Sequence, residues 1–258
     1  MTMKNITKSI SKQFLAKSRV ALDVTHSLAT GPNKYKSKFG RVLEGVFRKD
    51  YFTLQTMVVL TDMVERDNEL GVVFGGSILD LSRRVFEDMI FMEYVKASGK
   101  TDKYVRQFFD YVAIERKKDL DFLLERGGKV SKKIASDLED DYKKTPTKLR
   151  KNHNWLGQNV EQIIFWLTQN GTIEELQKTD ILKIYTAGNR KNHTSPSDIV
   201  GHLFQQTLDH NSETDLEMGL MITHGAMLRV ALLLIEEIEV GDETKEALMK
   251  CWKSINEE

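Results

Sequence analysis

Tyr185, Asn189 and His193 stand four residues apart within Ile184 to Pro196, IYTAGNRKNHTSP. If the stretch from Lys183 to His193 is helical, a phenol, an amide and an imidazole share one face. An imidazole titrates near neutrality, so His193 is a candidate general acid or base. Asn189 could fix its tautomer or hold a substrate oxygen. Tyr185 could donate a hydrogen bond from deeper in the fold. The same ridge also fits ordinary helix-end chemistry. A histidine in a last turn interacts favourably with the helix dipole, and Thr194-Ser195-Pro196 begins a turn.

A second charged set lies in SILDLSRRVFEDMIFMEYVKA, residues 77–97. Arg83 and Glu87 are four apart and can pair along one face. Leu81, Val85 and Phe86 beside them point to a well-buried helix, where charges are seldom left unpaired. One reading is an ordinary ion pair worth under about 1 kcal/mol. The other is a polar pocket in which Arg83 holds an anion and Glu87 orients it. A third set, His193, Asp198, His202 and His210, has ligand-type side chains but fits no specific metal spacing. No metal and no cofactor are expected. The chain has no GxxxxGK[ST] loop, no GxGxxG after a strand, no GxSxG and no HExxH. Cys251 is the single cysteine, so no intrachain disulfide can form. With no base nearby in sequence, it reads as a small packed residue.

The elements that must hold these residues read as helices. The chain has 258 residues and only three prolines, with 40% hydrophobic and 29% charged residues. That supports a packed core and an all-α, multi-helix antiparallel bundle. A basic amphipathic helix is expected over 4–22, followed by a loop at Ser27 to Lys34. Phe39 to Arg66 reads as a long helix, with a loosened junction at Gly71 to Gly76. Helices over 77–97 and 101–126 follow, the second stopped by Gly127-Gly128. Residues 129–153 carry eight basic and four acidic residues. They are read as a charged, mobile insertion with a short helix at 131–144 and a loop at Pro146. A buried helix over 159–169 precedes the ridge helix, which is expected to start at Thr172 as N-cap with Glu175 in the reciprocal position. Helices at 197–208, 213–240 and 242–256 close the chain, the last capped by Asp242. The organisation expected is a basic helix and loop at 1–34 and one helical domain at 35–258.

Net charge is zero, with 38 basic and 38 acidic residues, but it is unevenly spread. Residues 1–22 hold five basic and no acidic residues, while residues 209–258 hold twelve acidic and four basic ones. The basic start fits a nucleic-acid arm, a targeting segment or a plain solvated helix. Gly219 to Ile235 contains His224 and Arg229, which argues against a membrane span. No signal-peptide core is seen, and a cytoplasmic location is expected.

Taken together, the two polar stretches resemble a known family. An Arg and a Glu four apart in an apolar helix, LSRRVFEDMIFMEYV, are followed about 100 residues later by Tyr-x3-polar-x3-His and then Thr or Ser and Pro. The pattern is similar to the domain-of-unknown-function 5677 family of helical proteins, and covers residues 40–205. Arg83, Glu87, Tyr185 and His193 match it, while Asn189 stands where the family pattern has Ser. That family is in turn similar in layout to the HEPN superfamily, which includes ribonucleases of toxin and antiviral systems. Here the segment is Arg190-Lys191-Asn192-His193, shorter than the HEPN spacing and with Lys directly after the Arg. The resemblance implies metal-independent RNA cleavage. His193 would move a proton, Arg83 or Arg190 would stabilise the phosphorane, and Arg190, Lys191 and Asn192 would contact substrate. The alternative is a non-enzymatic helical module that binds a protein partner or small ligand, with the same residues as a structural network. RNA, a protein partner and a second copy of the chain are the partners considered, and no membrane is expected.

Overall fold

From Ala226 to Ile235 the sequence is apolar nearly all round, with Arg229 the one charged residue, so a helix built from it must be covered on almost every side. The computed structural model describes residues 3–66, 69–152, 154–174, 178, 181, 182, 185 and 208–256, with backbone alone at 3–11, 69–73, 75, 76, 208–215 and 256. In order, the helices are α1 (Met3–Thr30), α2 (Lys38–Arg66), α3 (Glu69–Ala97), α4 (Thr101–Glu125), α5 (Lys132–Lys144), α6 (Thr147–Arg150), α7 (Val160–Gln169), α8 (Leu208–Glu237) and α9 (Asp242–Asn256). No strand occurs among the described residues, and the architecture is an all-α bundle.

Helix α8 is the central element. It packs most extensively on α3 and also against α2, α1 and α9. Leu220, Met227, Leu228, Val230, Ala231 and Leu234 are all fully buried along it. Each large apolar side chain so buried is worth about 1.5–3 kcal/mol. Its stretch Leu216–Glu237 is long and apolar enough to cross a membrane, yet 78% of the window is covered inside the bundle. Gly219 sits where α8 crosses α3. A Cβ there would meet Ile78 Cγ2 at 2.6 Å, so the absence of a side chain sets the helix separation.

Helix α2 is amphipathic because Leu43, Phe47, Leu54 and Met57 recur at alternating spacings and are fully buried. Its neighbour α3 runs unbroken through Gly71 to Gly76, where a loosened junction was expected. The three glycines, Gly71, Gly75 and Gly76, cost a helix about 1 kcal/mol each, which long flanking helical segments can carry. Likewise α1 continues to Thr30, eight residues past the expected end, because Leu28 and Ala29 are buried against the core.

The charged stretch 129–153 is largely helical and docks onto α4. Tyr142 and Leu149 pack with Tyr111 and Ile114 in a second, smaller cluster. Arg150 fixes this corner. Its guanidinium lies 4.5 Å from the Tyr142 ring centroid. It also donates to the Lys143 carbonyl, the Thr145 carbonyl and Thr145 Oγ1.

Two expected caps are displaced. Thr172 and Ile173 donate their backbone N–H groups back to the Leu167 carbonyl, closing α7 behind the left-handed Gly171. Residues 172–174 are not helical and Lys178 N–H donates to the Glu174 carbonyl, so Thr172 is not the cap of the next helix; Glu175 lies outside the described residues. At the other end Gly241, not Asp242, takes the cap position. Lys245 N–H donates to its carbonyl, and Asp242 is the first helical residue.

Candidate functional site

Asp80, Arg83, Glu87, Phe91 and Tyr94 fall on one side of α3, since their spacings of three and four keep them in register. The lower end of this face is aromatic. Phe91 meets Trp155 edge-on at 6.2 Å, and Tyr94 meets Trp166 at 5.0 Å. The upper end is charged. Arg83 reaches Glu87 at 3.5 Å and Asp80 at 3.7 Å, and Arg84 donates to Asp80 at 3.0 Å. Two guanidinium groups therefore face two carboxylates within a single helix, and the local charge cancels.

The Arg83 and Glu87 side chains are 22% and 23% exposed. Burial raises the Glu87 carboxyl above the usual carboxylate range, and the Arg83 charge opposes this without reversing it. Neutral Glu87 would be a hydrogen-bond donor or proton source. Tyr185 is helical, half-buried and packed against the main core. Asn189, Arg190, Lys191, Asn192 and His193 lie outside the described residues, as do Asp198, His202 and the His210 side chain. Among the described residues, no three metal-ligating side chains converge.

A second polar feature was not read from the sequence. A cleft of about 450 Å³ opens between α4 and the segment 146–158. Lys103, Arg106, Gln107 and Asp110 line it from α4, at i, i+3, i+4 and i+7. Lys148, Asn152 and Gln158 face them. Tyr104 lies buried in the wall and is hydrogen-bonded to Tyr94 at 2.9 Å, and Gln158 Nε2 donates to the Tyr94 hydroxyl at 3.2 Å. Gln107 Nε2 donates to the Trp155 carbonyl at 2.5 Å. The α4 spacing was legible in the sequence as a polar face. What it faces depends on how the 146–158 turn folds back.

Comparison with known family models, characterised proteins and solved structures finds no match to this chain. Its functional reading therefore rests on its own side chains.

Two further buried ionisable groups, Asp50 and His224, have displaced titrations. Asp50 of α2 is fully buried and meets Asp88 of α3. With both acids ionised, neither Asp50 oxygen has a donor; protonated, Asp50 donates to Asp88. Lys49 pairs with Asp88 and lies 3.9 Å from Asp50. Burial first, and the Asp88 charge second, hold Asp50 well above the usual carboxylate range. His224 of α8 is 1% exposed, with Nδ1 3.1 Å from Ser18 Oγ. Desolvation, then the Lys17 charge, lowers it to about 4. It stays neutral and is a packing residue against Phe14. Cys251 is buried, and desolvation raises its thiol, so it is not an activated nucleophile.

Proposed function

We propose that this chain is a non-enzymatic helical binding module, with the Asp80–Arg83–Glu87 ladder as a structural element of its α3 face. One observation carries the reading. Arg83 is engaged by two carboxylates of its own helix, so its charge is already neutralised where an anion would have to bind. Stabilising a phosphorane requires a preorganised cation aimed at developing charge. Here both ion pairs would have to break first.

The second reading is metal-independent RNA cleavage of the kind the family resemblance implies, with His193 moving the proton. It is favoured by Glu87, whose burial raises its affinity for a proton beside Arg83. Thermal melting and RNA cleavage in EDTA separate the two. For a module, Arg83→Ala lowers the melting temperature, because half-buried Glu87 loses its ion-pair partner while Asp80 keeps only Arg84, and no RNA is cut by wild type. For a nuclease, wild type cuts RNA, and His193→Ala abolishes cutting without lowering the melting temperature.

A further inference from the structure

We propose that the cleft between α4 and residues 146–158 is a binding site for a phosphate ester carrying a nucleobase. The inference rests on the binding-module reading and gives that module its ligand. Three observations converge on it.

The first is charge. Lys103, Arg106 and Lys148 reach the cleft from opposite walls, against a single carboxylate, Asp110. Among the described residues none of the three cations has an ion pair, and the Lys103 ammonium lies 5.2 Å from the ring centroid of Tyr104 in the cleft wall. Lys143 pairs with Glu139 and Lys144 with Asp141, while Arg150 is consumed by the Thr145 corner. Within 143–151, Lys143, Lys144 and Arg150 are engaged locally, Lys151 is exposed, and Lys148 faces the cleft. A net excess of two positive charges suits a phosphate dianion.

The second is the amide set. Gln107, Asn152 and Gln158 are half-buried around the same space. Each carries both donors and an acceptor, the complement of a base edge. Two are positioned by bonds to the frame, Gln107 through the Trp155 carbonyl and Gln158 through the Tyr94 hydroxyl. The third is size. A space of about 450 Å³ lies within the range of small-molecule sites. Leu149 and Leu156 give it an apolar floor.

The same chemistry is offered by a free nucleoside monophosphate and by the terminal nucleotide of an RNA strand. The test is calorimetric titration of the full chain at low salt with uridine 5′-monophosphate, adenosine 5′-monophosphate, uridine, and an RNA hexamer with and without a 5′-phosphate. Lys148→Gln and Arg106→Gln are run beside wild type; both residues are exposed, so melting should be unchanged. The expected result is that a phosphorylated ligand binds, that uridine binds at least about tenfold more weakly, and that each variant weakens binding about tenfold. Monophosphates binding better than the hexamers indicate a free nucleotide; preference for the 5′-phosphorylated hexamer indicates an RNA end. Failure of every phosphorylated probe at millimolar concentration overturns the proposal. So does equal affinity of the two variants and wild type. His193-dependent RNA cleavage would overturn the module reading while leaving nucleotide binding at Lys148 separately measurable. No binding and no cleavage would remove this cleft assignment alone.

Discussion

His224 ties the α1–α8 packing to pH, and its contribution can be worked out. Folding lowers its pKa from the ordinary 6.5 to about 4, through burial and the Lys17 charge. A group with a depressed folded pKa contributes stability above its unfolded pKa and loses it as pH falls through the folded value. Between pH 6.5 and 4 the unfolded chain binds the extra proton, so stability falls on acidification. At about 1.4 kcal/mol per pKa unit, the full window amounts to about 3 kcal/mol. For a chain of this size that corresponds to about 6–12 °C in melting temperature. His224→Gln keeps a hydrogen-bonding partner for Ser18 and removes the titration. Loss of the ring contact with Phe14 adds a constant offset, independent of pH. Thermal melts of both proteins from pH 7 to 4 should therefore converge, the wild type losing about 3 kcal/mol more than the variant. Parallel melting curves over that range would refute the assignment of a buried, neutral His224.

Asp50 makes the opposite prediction. Its folded pKa is raised, so its stabilisation is complete below the unfolded value of about 3.8 and is lost as pH rises through the folded value. Asp50→Asn should melt higher than wild type at pH 8 and converge with it near pH 4, with a slope difference of up to about 1.4 kcal/mol per pH unit. Gly219→Ala should cost about 1–3 kcal/mol by pushing α8 away from Ile78, measured by denaturant unfolding. Arg150→Ala should loosen the 143–151 corner, seen as faster amide exchange there with α8 protection unchanged.

Much of the bundle could be read from helical spacing alone. The ends of α4 and α7 fall within one residue of expectation, because Gly127 and Gly171 stop helices by adopting left-handed backbone, and α2 falls within one residue as well. Helix α3 was cut short at 77 because glycines weaken a helix locally, while tertiary burial decides whether it breaks. Asp50 was visible as a carboxylate on an apolar stripe, between Phe47 and Leu54 at spacings of three and four. That it meets Asp88 depends on the α2–α3 crossing, which no single-helix pattern encodes. The Arg83–Glu87 pair was legible from spacing. The part of Asp80 in neutralising Arg83 was equally available at i−3, and it changes what Arg83 can do. The cleft against α4 was legible only by half, since its second wall is an irregular turn.

The central claim is that the α3 charges serve the fold and that the chain binds without cutting. The most direct measurement incubates labelled single-stranded RNA with purified wild type and His193→Ala in EDTA, with the melting temperature of each recorded. The account predicts intact RNA in both. RNA cut by wild type and left whole by a His193→Ala protein that melts at the same temperature would contradict it.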